Sequence, residues 1–281
     1  MPELPEIEHV VETLRRYVCG DVIERVSILR PALIRPLSPA RFRACVCRRT
    51  IEHIRRRGKF ILMDLSGGSS LLIHLRMTGG FAYGDPRLRW PKTTRLIFHL
   101  RSGRQLGFTD TRNLGTLAVV QRNDVDQIEP LDKLGVEPLA PDFTADCLKT
   151  LLRSSGRSIK EFLLDQTKVV GLGNIYAAEV LHRAGLSPIR SARSVARSAG
   201  RLVRLHQCIV ETLREALHAQ AAGQPLHLEL IGEPAAMNQP RCDVVFQVYN
   251  REGQPCFTCG QSIRRLVQSG RSTYYCPRCQ T

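Results

Sequence analysis

Apolar side chains recur at helical spacing near the start of the chain and at strand-like spacing after it. The first set predicts an amphipathic helix over residues 3–18: Leu4, Ile7, Val11, Leu14 and Val18. Short apolar and β-branched runs follow, separated by glycine turns, at residues 22–29, 60–65, 70–75, 95–100 and 117–120. Regular short strands of this kind predict a sandwich or barrel up to about residue 130.

The pattern changes twice further along the chain. Residues 129–141 contain several prolines and little periodicity, which indicates a linker. Helical spacing then recurs at residues 147–152, 159–164, 175–184 and 194–222, and the sequence from Pro225 onward is turn-rich and β-like. We therefore predict an α+β multidomain chain: a β-sandwich with a leading helix at 1–130, a linker at 131–142, a helical domain at 143–225 and a β-rich end at 226–281.

Charge narrows the range of partners. The 281 residues carry a formal net charge of +15, which favours polyanions, nucleic acid first and acidic membrane surfaces second. The start has no charged leader followed by an apolar stretch, and no run of about 18 apolar residues occurs, which argues against secretion and membrane spanning. Four of the ten cysteines cluster near the C-terminus, and the other six are scattered, as is typical of reduced residues in a cytosolic protein.

Two close cysteine pairs near the C-terminus predict a metal site. Cys256 and Cys259 form one pair, Cys276 and Cys279 the other, with residues 260–275 between them. This spacing is typical of a zinc ribbon that holds one structural Zn²⁺ through four thiolates. Two disulfides or redox pairs are the alternatives, and a reducing compartment favours zinc over both. A ribbon indicates nucleic-acid binding without naming a reaction.

The N-terminal segment offers a candidate nucleophile. Initiator methionine is normally removed before proline, so the mature chain is expected to begin at Pro2, whose secondary amine is partly neutral near pH 7. Glu3 and Glu6 lie on one helical face beside it, where carboxyl groups serve as acid, base or positioner. The alternative is structural, because acidic residues and proline both favour the first turn of a helix.

Several motifs together resemble the formamidopyrimidine-DNA glycosylase family, nearly end to end. They are Pro2–Glu6, Gly58–Phe60, His74–Gly79, Gly171–Tyr176 and the four-cysteine ribbon. The resemblance implies an N-terminal β-sandwich, a helix-two-turn-helix domain, and a base-capping loop followed by a zinc finger. It also implies removal of 8-oxoguanine and ring-opened purines from duplex DNA.

The resemblance implies a catalytic role for each of five residues. Pro2 is the Schiff-base nucleophile, Glu3 assists opening of the sugar ring, and Glu6 supports this pair. Lys59 is a proton donor in β-elimination and contacts phosphate. Arg271 of the zinc finger assists δ-elimination and holds a phosphate.

A second set of residues is expected to bind the DNA. A damaged base must be flipped out of the helix, and Met77, Arg112 and Leu114 match the positions that fill the space it leaves. Packing in the core is the alternative for Met77 and Leu114. Asn174 opens a helix after a Gly-x-Gly turn and is expected to lie at a phosphate.

Departures from the family pattern concern the choice of base. Residues 110–115 stand where the family has Asp-Pro-Arg-Arg-Phe-Gly, so Asn113 replaces an arginine and Leu114 replaces a phenylalanine. Residues 92–94 stand where the family has His-Asp-His, and Lys92 is still expected to bind phosphate there. A family lysine falls on Gly156, with Arg157 as a substitute beside it. Residues 229–243 lack the family's Gly-rich form of the loop that closes over the flipped base.

The function predicted is a bifunctional DNA glycosylase and apurinic/apyrimidinic lyase acting on damaged double-stranded DNA by β,δ-elimination. A superfamily paralogue that prefers oxidised pyrimidines is the nearest alternative, although Leu4 favours the purine branch. A non-catalytic damaged-DNA-binding protein and a zinc-ribbon transcription factor are the alternatives from other classes. We expect a monomer in the bacterial cytoplasm, associated with the nucleoid through DNA.

Overall fold

The computed structural model describes residues 1–87, 89–222, 228–231 and 245–281. They form two compact units. The first unit comprises Met1–Asp132 and the described residues from Leu217 to Ile231. The second unit comprises Lys133–Ala216 and the described residues from 245 onward. In these ranges, no helix combines the length and the apolar character needed to cross a membrane.

The first unit is built on a nine-stranded sheet with two helices. In strand order the sheet runs β8-β4-β3-β2-β1-β6-β7-β5-β9. The elements are α1 (Leu4–Val18), β1 (Val22–Ile28), α2 (Pro39–Val46), β2 (Arg49–Arg57), β3 (Phe60–Leu65), β4 (Ser69–His74), β5 (Gly79–Gly84), β6 (Thr94–Leu100), β7 (Gln105–Asp110), β8 (Thr116–Gln121) and, later in the chain, β9 (Leu228–Ile231).

The sheet has a narrow junction between β1 and β2. Only two residue pairs join these strands, Val22 with Thr50 and Ile23 with Arg49. The other antiparallel neighbours in the sheet share five or six residue pairs. The junction separates four strands on one side from five on the other. Both sets contribute to one buried apolar cluster with α1, as expected of a sandwich whose inner faces form the core. The predicted leading helix and β-sandwich are confirmed.

Periodicity alone missed α2 and the strands β2, β5 and β7. In β2 the only apolar residues, Ile51 and Ile54, are three apart, yet both are buried because the register with β3 shifts between Ile51 and His53. A bulge of this kind breaks the two-residue alternation that marks a strand. In β5, all six residues are buried, so neither face carries the polar residues that would produce alternation.

The second unit is helical and ends in a hairpin. Its elements are α3 (Ala145–Arg153), α4 (Ile159–Leu164), α5 (Asn174–Ala184), α6 (Ala192–Ala196), α7 (Ala199–Ala221, counted with the first unit from Leu217), β10 (Arg264–Gln268) and β11 (Arg271–Tyr275).

Local signals explain three of the helix boundaries. The Thr144 and Ser158 side chains accept N–H hydrogen bonds at the starts of α3 and α4, and Gly185 ends α5 at φ +69°. The prediction of one helix over 194–222 was wrong at its start. Arg197 and Ser198 separate α6 from α7, and the Ser198 carbonyl accepts the first hydrogen bond of α7 from Leu202 N–H.

Candidate active site and zinc centre

The predicted site residues are divided between the two units. Two sets can therefore be described, each within its own unit. The first unit carries Pro2, Glu3, Glu6, Lys59, Met77, Lys92, Arg112 and Leu114, and the second carries Arg157, Asn174, Arg271 and the four cysteines.

The start of α1 holds Pro2 beside two buried acidic residues. Pro2, Glu3 and Glu6 are all buried. The Glu6 carboxylate accepts a hydrogen bond from the Glu3 backbone N–H at 2.8 Å and another from the Gln220 side-chain amide at 3.2 Å. Glu6 thus holds the backbone that leads into the helix, which supports the positioning role predicted for it.

Lys59 is buried in the tight turn between β2 and β3. Gly58 precedes it at φ +57°, a conformation that glycine adopts without steric cost. Arg56 donates to the Gly58 carbonyl at 3.0 Å and to the Glu8 carboxylate of α1 at 2.7 Å. The turn that carries Lys59 is thereby tied to the helix that begins beside Pro2.

His74 is a site residue for which the sequence predicted no role. Its ring packs edge-on against Phe60 with centroids 4.5 Å apart, and its Nδ1 accepts the Arg76 backbone N–H at 2.9 Å. The remaining nitrogen, Nε2, therefore carries the proton in the neutral ring. Burial, then the positive charges of Arg76 and Lys59, lower the pKa of His74 to about 3. A neutral imidazole consequently lies beside Lys59.

This shift predicts a pH dependence of stability. The unfolded chain binds a proton at His74 below its ordinary pKa of 6.5, whereas the folded chain does so only near 3. The free energy of unfolding is therefore highest above pH 6.5. It falls as the pH drops from 6.5 towards 3, because the unfolded chain gains a proton that the folded chain does not bind. Compared with His74→Asn, the wild-type free energy of unfolding should fall more steeply between pH 6 and 4, by about 1.4 kcal/mol per pH unit. Urea titrations measure this slope.

Asparagine is chosen because its side-chain oxygen can still accept the Arg76 N–H. The matched control is His53→Asn, at an exposed histidine on β2, which should leave the slope unchanged. Equal slopes for wild type and His74→Asn would contradict the buried neutral imidazole.

The three residues expected to fill the vacated space are on the surface. Met77 is 43% exposed and Leu114 is 45% exposed, and Arg112 is also exposed. Core packing, the alternative for Met77 and Leu114, is therefore wrong. Exposed large apolar side chains next to an exposed arginine are the chemistry needed to wedge a base stack and to hydrogen-bond an orphaned base.

Met77→Ala and Leu114→Ala should hardly change the free energy of unfolding. Each is expected to cost less than about 0.5 kcal/mol, because surface truncations leave no cavity. Leu117→Ala, at a fully buried neighbour, should cost about 2–5 kcal/mol. Urea unfolding of the three variants measures the difference, and a loss above about 2 kcal/mol at Met77 or Leu114 would favour packing after all.

Arg95 ties the Lys92 turn to the loop after β7. Its side chain donates to the Lys92 carbonyl at 3.0 Å and to the Asn113 side-chain oxygen at 2.5 Å. Lys92 itself is exposed. The backbone of Lys92 is thus held close to the loop that carries Leu114, while its side chain is exposed.

In the second unit, the β10–β11 hairpin is fastened to the start of α5. The Ser272 carbonyl accepts from the Asn174 side-chain amide at 2.9 Å and from the Lys160 ammonium at 3.1 Å. Lys160 is fully buried and also donates to the Thr273 hydroxyl at 2.5 Å. Because Ser272 follows Arg271 directly, these bonds fix Arg271 beside Asn174. The sequence predicted no role for Lys160, whose partner on β11 lies far along the chain.

Arg157 and Arg271 line one groove of about 540 Å³. Arg157 donates to the Asp165 carboxylate at 3.3 Å. Gln166, also in the groove wall, braces the glycine turn before α5: its amide donates to the Leu172 carbonyl at 2.8 Å and accepts the Gly171 N–H at 3.0 Å. Arg157, expected to substitute for a family lysine, and Arg271 thus share one surface, which the carboxylates of Glu161 and Asp165 also line.

The four cysteines converge as predicted. Their sulfur atoms all lie within 4.8 Å of one another. Cys256 and Cys279 sulfurs are 3.9 Å apart and those of Cys259 and Cys276 are 3.5 Å apart. Disulfides require about 2.05 Å, whereas Zn–S bonds of about 2.3 Å in a tetrahedron require sulfurs nearly 4 Å apart. The set therefore fits one structural zinc ion and not two disulfides.

Side chains of α5 hold the zinc module in place. The Glu179 carboxylate accepts three backbone N–H groups, from Gln247, Val248 and Tyr249, at 2.7–3.0 Å. The His182 imidazole lies 3.5 Å from the Cys256 sulfur, a contact typical of the groups that orient metal ligands. Neither residue was predicted from the sequence.

The loop predicted to close over the flipped base lies only partly within the described residues. In the stretch 229–243, expected to close over the flipped base, Glu229–Ile231 belong to β9, which pairs in parallel with β5. Residues 232–243 lie outside the described residues.

Sequence comparison matches three known domains in succession. Residues 1–117 match the formamidopyrimidine-DNA glycosylase N-terminal domain, residues 134–226 the formamidopyrimidine-DNA glycosylase H2TH domain, and residues 253–281 a zinc finger found in FPG and IleRS.

Relatives named formamidopyrimidine-DNA glycosylase match the whole chain. That of Pelotomaculum thermopropionicum is 41% identical, with 100% of this chain and 99% of the relative covered. That of Geobacillus kaustophilus is 39% identical, with both chains fully covered. Among solved structures, Lactococcus lactis Fpg in complex with DNA containing an oxidised pyrimidine has a TM-score of 0.88 at 30% identity over both full chains. The same enzyme with N7-benzyl-Fapy-dG DNA has a TM-score of 0.87, again at 30% identity over both full chains.

Proposed function

Because the chain belongs to the formamidopyrimidine-DNA glycosylase family, we propose that it is a DNA glycosylase removing 8-oxoguanine and formamidopyrimidines from damaged duplex DNA. It is further proposed to be an apurinic/apyrimidinic-site lyase that uses the Pro2 amine. The observation that carries the proposal is the family match over the whole chain. The buried carboxyl groups of Glu3 and Glu6 next to Pro2 support the assignment of the nucleophile.

The proposed reaction begins once Met1 is removed. An α-amino group has a pKa near 8, against about 10.4 for lysine, so part of the Pro2 amine is neutral at pH 7. The amine forms a bond to C1′ as the bond to the damaged base breaks and the base leaves with the electron pair. Glu3 then protonates the sugar-ring oxygen as the ring opens, and the amine loses its proton to give an iminium ion.

Strand cleavage follows from the iminium ion. Its positive nitrogen withdraws electrons and acidifies the C2′ proton, so that proton loss expels the 3′ phosphate. A second elimination expels the 5′ phosphate. Lys59 is the proposed proton donor for the first step, and Arg271 neutralises charge on the phosphate in the second. The burial of Lys59 and the bonds that hold Ser272 support precise positions for both.

Recognition of the damaged strand is assigned to two kinds of contact. Lys92, Arg157 and Asn174 are proposed to bind phosphates, which position the DNA without reading its sequence. Met77, Arg112 and Leu114 are proposed to occupy the space left by the flipped base. We name these three the void-filling residues.

The choice of damaged base has a second candidate. The Lactococcus lactis relative has been crystallised with oxidised-pyrimidine DNA as well as with a formamidopyrimidine. Leu114 also lacks the aromatic ring that contributes about 1–3 kcal/mol per stacked base. A preference shifted towards oxidised pyrimidines is therefore the alternative to test beside oxidised purines.

Borohydride trapping tests the reaction and the preference together. The protein is incubated with duplexes carrying 8-oxoguanine, a ring-opened purine, an oxidised pyrimidine or an abasic site, and borohydride reduces any iminium to a stable adduct. We expect adducts with the abasic and both purine duplexes, formed faster than with the pyrimidine. Faster trapping of the pyrimidine would favour the alternative, and no adduct on any duplex would refute the lyase mechanism.

The proposed setting is the bacterial cytoplasm, where the protein acts as a monomer and associates with the nucleoid through DNA. The basic net charge of +15 supports attraction to the duplex.

A further inference from the structure

Asp110 is a buried carboxylate with a full set of hydrogen bonds. It lies at the end of β7 with no exposed surface. It accepts from the Thr78 hydroxyl at 2.5 Å, from the Leu114 and Gly115 N–H groups at 2.7 Å each, and from the Arg112 N–H at 3.1 Å. Burial alone would raise the pKa of Asp110, but these donors together hold it below its ordinary value. The carboxylate is therefore ionised and saturated with donors.

Thr78 connects this carboxylate to the other loop of the void-filling residues. It follows Met77 directly, and its hydroxyl donates to Asp110 while accepting the Arg112 N–H at 3.1 Å. Pairing of Gly79 with Asp110 brings the two loops together at the ends of β5 and β7. One carboxylate and one hydroxyl thus hold the backbone beside all three void-filling residues.

Both loops are closely packed. A Cβ atom at Gly79 would lie 2.3 Å from the Leu75 carbonyl oxygen, and one at Gly115 would lie 2.6 Å from the Phe108 ring. Asn113 has φ +57°, a left-handed conformation, and its side chain accepts from Arg95. Such a conformation persists when surrounding bonds over-determine it, and in the loop of Asn113 the Asp110 carboxylate accepts three backbone N–H groups, those of Arg112, Leu114 and Gly115.

We propose that Asp110 and Thr78 are positioning residues that hold Met77, Arg112 and Leu114 as one rigid unit, so that all three enter the duplex together. The inference rests on the proposed function, since it assigns these bonds to base flipping. The Thr78 hydroxyl is the contact that the experiment must remove, because it joins the Met77 loop to the Arg112–Leu114 loop. Without it, each loop moves separately and the space left by the base is filled more slowly.

Thr78→Val tests the inference, because valine keeps the branched shape and lacks the hydroxyl. Insertion is measured by stopped-flow fluorescence of 2-aminopurine placed beside a tetrahydrofuran abasic analogue in duplex DNA, which requires no chemistry by the protein. We expect insertion and 8-oxoguanine processing in duplex DNA to slow at least about tenfold, since small misplacements are costly. Trapping on a single-stranded abasic oligonucleotide should stay near wild type, because no opposite strand is to be filled.

Two variants serve as controls. Thr78→Ser restores the hydroxyl and should recover the wild-type insertion rate. Thr111→Val changes an exposed threonine in the same loop and should have no effect. Wild-type insertion by Thr78→Val would overturn the inference, and so would equal losses on duplex and single-stranded substrates. A wild-type protein that inserts normally yet forms no adduct would count against the proposed lyase chemistry alone.

Discussion

A chain that keeps one residue in front of Pro2 should form no borohydride-trapped adduct with abasic DNA. The extension converts the secondary amine into a peptide nitrogen, whose lone pair is delocalised and not nucleophilic. Loss of a covalent nucleophile typically costs more than about a thousandfold in rate. We expect a loss of at least this size in both base removal and strand cleavage, measured by gel assays on labelled duplexes.

Two further chains separate chemistry from folding. Pro2→Gly keeps a primary amine at the N-terminus and should retain part of the activity. His53→Asn, at an exposed residue of β2, should leave activity unchanged. Mass spectrometry must show that Met1 is removed from the wild type. Full trapping by the N-terminally extended chain would exclude Pro2 as the nucleophile.

Removal of zinc should abolish tight duplex binding while leaving the first unit folded. The module's apolar core is a small cluster with few buried residues besides the cysteines, so metal binding supplies much of its folding free energy. Cys276→Ser, at a fully buried ligand, should lose the metal and weaken duplex affinity by more than about tenfold, because Arg271 no longer has a fixed position. Fluorescence anisotropy measures the affinity, and a chelating dye measures released zinc.

The single tryptophan supplies a control on folding. Trp90 belongs to the first unit and packs against Gly107 of β7, so its emission reports that unit and not the zinc module. Its emission should be unchanged in Cys276→Ser. Cys147→Ser, at a half-buried cysteine of α3 outside the metal cluster, should keep both zinc and affinity. Unaltered DNA binding by the zinc-free protein would show that the module is dispensable for recognition.

Features defined by short-range spacing could be predicted from the sequence. The five apolar positions of the first segment specify one helical face, and α1 follows them closely. The two cysteine pairs identify the zinc ligands, because the two cysteines of each pair are only three positions apart and the metal joins the pairs. Arginine-rich β2 and glycine-rich β5 could not be recognised, since their burial depends on strands paired from elsewhere in the chain.

The spacing of residues along the sequence does not show whether a given apolar side chain is buried or exposed. Met77 and Leu114 have side chains equally suited to a core or to a DNA wedge, and only the packing around their loops shows that both are exposed. The opposite holds for Lys160, a charged residue that the structure buries completely. Burial is a property of neighbours, and these neighbours come from distant parts of the sequence.

The sequence by itself determined α1, five strands of the sheet, the metal ligands and the candidate nucleophile, because each depends on residues within a few positions of one another. Only the tertiary structure decided which polar side chains hold the site together. Asp110 with Thr78, Glu179 with residues 247–249, and Lys160 with Thr273 are pairs separated by tens of residues or more. A buried charge is tolerated only where the fold supplies its hydrogen-bond partners, so these residues become recognisable only once the chain has folded.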